Sequence, residues 1–166
     1  ASDVYKRQHV KLVRDLVSKG IIEDKFTELT IKYNRLNLRK EFPNGDVAYI
    51  DVEDVGDGIE RFLTVGVWLE TLKPEVVLWD DLESSAHPSL IREIIEWLSA
   101  HEWQVIATTH SIDVLNEFVE CAPEDARIIQ LRKSPDDVLS HRVLTIEELD
   151  ELFESGQDVR KLMSWR

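Results

Sequence analysis

"EVVLWDD", residues 75–81, is an apolar run that ends at two adjacent carboxylates, Asp80 and Asp81. The run is short and rich in β-branched residues, and Pro74 stands directly before it, so it favours a strand over a helix. Its unbroken apolar character predicts a strand that is buried on both faces, as in a parallel sheet. Both carboxylates then lie at the carboxyl end of a rigid strand.

The residues that follow predict a βαβ unit. Pro88 suits the first turn of a helix. An apolar stripe follows it at helical spacing, formed by Leu90, Ile91, Ile94, Ile95 and Leu98. The next apolar run, "QVIATTHS" at 104–111, predicts a second strand, and a crossover of about two dozen residues makes the two strands parallel neighbours. Because such strands end at the same sheet edge, Asp80, Asp81 and His110 converge where a cation and a polyanionic ligand are within reach.

The N-terminal part of the chain predicts two helices and a β-hairpin. Apolar residues recur at helical spacing from His9 to Gly20, which indicates a short amphipathic helix. Partial alternation on both sides of the turn "FPNGD" predicts a hairpin over 29–54. Another helix follows Gly56 and Gly58 and ends at Pro74.

The C-terminal part continues the alternation of helices and strands. A helix is predicted over 112–119, and "ARIIQL" and "HRVLT" indicate two further strands. The stretch "TIEELDELFESG" predicts a final helix, because Thr145 and Glu148 form a capping box and Gly156 supplies a stop.

Composition limits the class of protein. The 166 residues suffice for one globular domain, and no apolar stretch approaches the length of a membrane span. A formal charge of -13 repels nucleic acid, so DNA binding by this chain alone is disfavoured. A single cysteine, Cys121, excludes an intramolecular disulfide and fits a reducing, cytoplasmic environment.

Three motifs together resemble one family. "VVLWDDLESSAHPSLIREI" is similar to the Walker B strand and D-loop of ABC-type ATPases of the SMC, RecF and OLD-like group, which belong to the AAA-type families. "IATTHS" is similar to their switch-histidine motif, and "GDGIERFLTVGVWLETL" resembles their signature helix. The resemblance covers 51–161. It implies an α/β, P-loop NTPase-like fold with a partly parallel sheet flanked by helices, here with an N-terminal helix and β-hairpin.

The resemblance also implies roles for single residues. Asp80 would hold Mg²⁺ through water, Asp81 would stand at the position of the catalytic glutamate, and His110 would contact the γ-phosphate of ATP. The nucleotide-binding set implied in this way is Gly56, Asp57, Gly58, Glu83 and His110. The glycine segment would contact the nucleotide of a second subunit, which implies ATP hydrolysis in a homodimer that sandwiches its nucleotides.

The sequence departs from the family pattern at three points. It contains no G-x-x-x-x-G-K-[ST] phosphate loop; Asp81 is one methylene shorter than glutamate; and Asp54 stands where the signature motif usually has serine. Hydrolysis therefore has a rival, a non-hydrolysing switch that dimerises on ATP. A phosphoreceiver domain is a third interpretation, but it needs a phosphoacceptor aspartate on a later strand, and "QVIATTHS" ends without one.

The first residues need a separate interpretation. "DVYKRQ", residues 3–8, is what a sequencing-adapter string translates to, so we expect 1–8 to be an artefact. Residues 9–166 are then expected to be the C-terminal part of one ATPase domain, inactive alone, and any nucleic-acid contact would depend on missing parts. We also expect the two central strands to lack neighbours, which would leave Val77 and Ile106 poorly covered.

Overall fold

The computed structural model describes residues 26–161, and the helix predicted from His9 to Gly20 lies outside them. The described residues form an α/β fold, in which the strands make three small sheets and the helices pack against them. In chain order the elements are β1 Phe26–Lys32, β2 Arg35–Glu41, β3 Val47–Asp51, α1 Asp57–Leu72, β4 Val76–Trp79, α2 Pro88–Ser99, β5 Gln104–Ala107, α3 Ile112–Cys121, β6 Ile128–Lys133, β7 Leu139–Leu144 and α4 Ile146–Glu154. Each α-helix predicted within this range is present. The helices of this range are all too short or too polar to cross a bilayer.

Strands β4 and β5 form the predicted parallel pair, with Leu78 opposite Ile106. The expectation that β4 is buried on both faces is wrong: Val77 and Trp79 are buried, whereas Leu78 is 76% exposed. Successive side chains of a strand point to opposite faces, and among the described residues the helices cover only one of them. Ile106 is 51% exposed, as predicted, but Val77 is 5% exposed and the expectation for it was wrong, because it faces the helices.

The N-terminal sheet contains one more strand than predicted. The "FPNGD" turn joins β2 to β3, where Phe42 N–H donates to the Asp46 carbonyl at 2.9 Å. The stretch before it is two strands, not one, because the chain reverses at Tyr33 and Asn34 with φ of 53° and 61°. Two positive φ values are the requirement of a tight hairpin turn. The result is a three-stranded antiparallel sheet.

Helix α1 connects this sheet to the central strands. It begins after Gly56, whose φ is 102°, and Lys73 ends it in a left-handed conformation just before Pro74. Leu63 packs with the sheet, and Phe62 packs with α2 and the central strands. The helix therefore lies between two parts of the core.

The far end of α1 is attached to the turn between α2 and β5. The Glu70 carboxylate lies 3.0 Å from His101 Nε2, and His101 Nδ1 lies 2.8 Å from the Trp97 carbonyl. The imidazole also stacks on Trp103 with ring centroids 4.0 Å apart. These contacts fix the C-terminal end of α1 against α2.

Residues 128–161 form a C-terminal unit, which packs against Leu115 and Val119 of α3. Strands β6 and β7 pair antiparallel, and α4 begins with the predicted capping box between Thr145 and Glu148. Leu144, Leu149 and Val159 form its buried core. This unit places the last described residues near the strand ends where the candidate site lies, as the contacts below show.

Candidate functional site

Thr108 connects the carboxyl ends of β4 and β5. Its N–H donates to the Trp79 carbonyl at 2.9 Å, and its carbonyl accepts from Leu82 N–H at 3.0 Å. Its hydroxyl donates to Asp80 Oδ1 at 2.5 Å and accepts from Asp81 N–H at 2.9 Å. Four hydrogen bonds through one residue therefore fix both aspartates relative to the end of the neighbouring strand.

Asp80 and Asp81 differ in conformation although they are adjacent. Asp81 has a φ of 49°, in the left-handed region that aspartate and asparagine tolerate better than most residues. The Arg61 guanidinium stabilises this turn, because it donates to the carbonyls of Asp80 at 3.0 Å and of Asp81 and Ser84 at 3.2 Å. The chain therefore leaves the strand sharply at the second carboxylate.

Glu83 links this turn to the segment that carries His110. Glu83 Oε1 accepts from His110 N–H at 2.8 Å. Partial burial raises the pKa of the Glu83 carboxyl, but hydrogen bonds from the backbone N–H groups of Glu83 itself and of His110 outweigh it, so this pKa lies below its ordinary value. Glu83 is thus an anion held against the backbone of the histidine segment. The His110 imidazole makes no hydrogen bond with another residue of the described range and is exposed.

The start of α1 lies against the same turn. A Cβ added to Gly58 would lie 2.2 Å from the Ser85 carbonyl oxygen, so only glycine fits this approach. Beside it a shallow cleft opens, lined by Asp57, Glu60, Arg61, Thr64, Val65 and Ser85. The first N–H groups of a helix point outward and carry partial positive charge, which suits an anion. Asp54 and Asp57 add negative charge here, which opposes one.

The structure brings together most of the predicted site residues. Hydrogen bonds place Asp80, Asp81 and Glu83 beside the segment of His110. The predicted glycine segment, Gly56, Asp57 and Gly58, joins them through the contact of Gly58 with Ser85 rather than through hydrogen bonds of its own side chains.

Sequence reasoning missed two residues, Thr108 and Arg61. Thr108 had a signal, because the residue after β5 stands beside the residue after β4 once Trp79 is aligned with Ala107. Arg61 had none, since α1 brings it to these carbonyls only through tertiary packing. Both act on the backbone or carboxylate of the aspartates.

The carboxylates of this site fit Mg²⁺ better than a metal ion that takes all of its ligands from protein side chains. Within residues 26–161 no group of three or more histidine, cysteine or acidic side chains is placed to hold a metal. Mg²⁺ takes one or two carboxylates and fills its other positions with water and phosphate oxygens. The Asp80 carboxylate accepts one hydrogen bond from the described residues, at Oδ1, which leaves Oδ2 to bind Mg²⁺ or one of its waters.

A protein-family model described as "AAA domain, putative AbiEii toxin, Type IV TA system" matches residues 3–116. The chain belongs to this AAA-domain family. No curated protein matches it. The family match includes β4, the two aspartates and the His110 segment, so the site described above lies in the AAA domain itself.

Solved structures give the fold of this AAA domain. It is similar to a structure from a study of ATP-driven dimerization and DNA-stimulated activation of SMC ATPases, with a TM-score of 0.63 and 16% identity over 98% of this chain and 94% of that chain. It is also similar to an Smc head domain from Pyrococcus furiosus bound to the C-terminal domain of ScpA, with a TM-score of 0.58, 14% identity, and coverage of 93% of this chain and 38% of that one. The AAA domain therefore has the ABC-type, P-loop NTPase-like fold of SMC ATPase heads.

Proposed function

We propose that this AAA-domain chain carries the Walker B, D-loop and switch-histidine part of an ATP-hydrolysing head of the SMC type. Asp80 would hold Mg²⁺, Asp81 would accept the proton of the attacking water, and His110 would contact the γ-phosphate. Bound Mg²⁺ would supply charge neutralisation on the phosphate oxygens. The phosphate loop, absent from the sequence, would come from residues beyond it.

The observation that carries this proposal is the connection through Thr108. General-base catalysis requires that the base and the group it serves keep a fixed geometry. Thr108 joins Asp80 and Asp81 to the end of β5, and Glu83 joins the same turn to the backbone of His110. Metal ligand, base and histidine would then be held by one hydrogen-bonded unit at the strand ends.

The proposal includes a homodimer, in a cytoplasmic protein. Gly56, Asp57 and Gly58 would face the nucleotide bound by a second copy, and the start of α1 would offer its N–H groups to the phosphates. This arrangement is supported by the cleft at the start of α1 and by the likeness to SMC ATPases studied for ATP-driven dimerization.

Two observations favour the rival function, a switch that dimerises on ATP without hydrolysing it. Asp81 has a shorter side chain than glutamate, and its left-handed backbone suits aspartate better than glutamate. The exposed acids Asp54 and Asp57 would also repel a γ-phosphate. The two functions differ in what Asp81 does.

Single-turnover kinetics on the protein expressed from the complete gene separates them. If Asp81 is the base, Asp81→Asn lowers the rate by about 100-fold or more, because the amide cannot accept a proton. Asp81→Glu raises the rate, because it extends the base toward the water. Asp80→Asn instead weakens Mg²⁺ binding.

Asp125→Glu is the matched control, since Asp125 is exposed and has a φ of 59° outside the site. It reports what a left-handed glutamate costs in stability alone. A wild type without turnover would favour the switch. So would an Asp81→Glu rate equal to or below that of the wild type, provided that Asp81→Glu loses no more stability than Asp125→Glu does. Either result would remove Asp81 from the chemistry.

A further inference from the structure

The backbone of His110 is fixed from two sides. Its N–H donates to Glu83 Oε1 at 2.8 Å, and its carbonyl accepts from Arg160 Nη1 at 3.3 Å. Glu83 belongs to the turn after β4, whereas Arg160 comes from the C-terminal unit, 50 residues after His110 in the chain. The side chain of His110 projects from a peptide segment whose two polar backbone groups are both bound.

Arg160 is itself held in one orientation by Asp158. The two side chains form a paired contact, Nε to Oδ1 at 2.9 Å and Nη2 to Oδ2 at 2.8 Å. This contact and the Arg160 N–H, which donates to Oδ1 at 3.0 Å, hold the pKa of the Asp158 carboxyl well below its ordinary value. A planar guanidinium paired in this way has little freedom left. Its remaining nitrogen, Nη1, is the one that reaches the His110 carbonyl.

The segment that carries this pair rests on the core of the C-terminal unit. Val159, between Asp158 and Arg160, is 3% exposed and packs with Leu144 and Leu149. Its carbonyl accepts a hydrogen bond from Gln130 Nε2 on β6. The segment that carries Arg160 is therefore anchored in the packed core of the C-terminal unit.

We propose that Arg160 is a positioning residue for His110, through which the C-terminal unit sets where the histidine backbone lies. The proposal rests on the function proposed above for His110, and it adds a connection from β6, β7 and α4 to the strand-end site. Arg160 acts on the His110 carbonyl and makes no hydrogen bond or ion pair with Asp80 or Asp81 within the described residues.

The test uses nuclear magnetic resonance on this chain labelled with ¹⁵N, and needs no ATP. The imidazole signals are assigned among the five histidines, His9, His87, His101, His110 and His141. Arg160→Met should shift the His110 imidazole signal and speed hydrogen exchange of the His110 amide by about 5- to 10-fold, the factor that one ordinary hydrogen bond represents. Arg160→Lys should restore part of the protection, because it keeps the charge without the paired geometry.

Two control variants separate positioning from general weakening. Lys161→Met removes a neighbouring cation that also lies 3.3 Å from Asp158, but it has no contact with His110. Leu38→Val loosens the core beside the N-terminal sheet, which is a different cluster from the one that holds Val159. Both should leave the His110 imidazole signal where it is in the wild type, although Leu38→Val lowers stability.

The proposal is overturned if Arg160→Met folds and both its His110 imidazole signal and its His110 amide exchange rate are the same as in the wild type. If that variant does not fold, Arg160→Lys decides: wild-type protection of the His110 amide in it would equally refute the proposal. A shift of the same size in Leu38→Val would also refute it, since the effect would then be general. Because ATP turnover is not measured, failure of the hydrolysis proposal and failure of this one give different results.

Discussion

Gly58→Ala tests whether the start of α1 and the turn after β4 are packed as tightly as the structure indicates. The added Cβ would lie 2.2 Å from the Ser85 carbonyl oxygen, 3.1 Å from its carbonyl carbon and 3.3 Å from Ala86 Cα. All three are backbone atoms, so no flexible side chain can move aside. Either α1 or the turn must shift.

Two effects of opposite sign decide the magnitude. Replacing glycine by alanine inside a helix favours the folded state by up to about 1 kcal/mol. Forcing an extra carbon into a packed contact costs about 1–3 kcal/mol. Since the closest approach is far below van der Waals distance and the neighbour is backbone, the upper half of that range applies. The expected net loss in free energy of unfolding is therefore about 1–2 kcal/mol.

Urea unfolding followed by circular dichroism measures this loss on the chain itself. Thr64→Ala is the control, because Thr64 is exposed on the same helix and gains only helix propensity, which stabilises by about 0.5 kcal/mol. If Gly58→Ala is as stable as the wild type, or as stabilised as Thr64→Ala, the close approach of α1 to Ser85 does not exist in solution.

Two further predictions concern ATP and pH. Because the sequence has no phosphate loop, the purified chain should neither bind ATP tightly nor hydrolyse it; micromolar affinity in calorimetry would contradict this. The folded-state pKa of Glu83 lies below its ordinary value of 4.5, so Glu83 stabilises the fold above that pH, and the contribution is lost as pH falls through the folded pKa. Between about pH 3 and pH 5, the free energy of unfolding measured in urea should therefore fall less steeply with falling pH for Glu83→Gln than for the wild type. Equal slopes would show that the pKa of Glu83 is not lowered in the folded state.

Signals that lie within a few residues predicted the elements well. Pro88 at the start of α2, the capping box of α4 and the "FPNGD" turn act locally, so the sequence was enough to place them. The reversal at Tyr33 and Asn34 was missed because the usual Asn-Gly pair of such turns is absent, and strand pairing on both sides imposes the positive φ values.

Burial and side-chain partners depended on residues far apart in the chain. An apolar run does not reveal which of its faces a neighbouring layer covers, which is why β4 was expected to be buried on both. The strand order predicted that Asp80, Asp81 and His110 share one edge. It did not predict Arg61 or Arg160, because their partners are backbone carbonyls of other elements. Thr108 could have been found from the strand register, since its hydroxyl meets the Asp80 carboxylate and the Asp81 N–H of the neighbouring strand end.

Contacts at both of its ends hold helix α1 between two parts of the domain. Gly58 abuts the turn after β4 at one end, and Glu70 meets the His101 ring at the other. The helix has 16 residues, so the two ends are separated by about 24 Å. A rod held at both ends transmits displacement along its axis and resists bending, so a shift at the strand-end site would reach the stacked rings of His101 and Trp103. Trp103 directly precedes β5, at the opposite end of that strand from Thr108, so its fluorescence would report such a movement once the other four tryptophans are replaced.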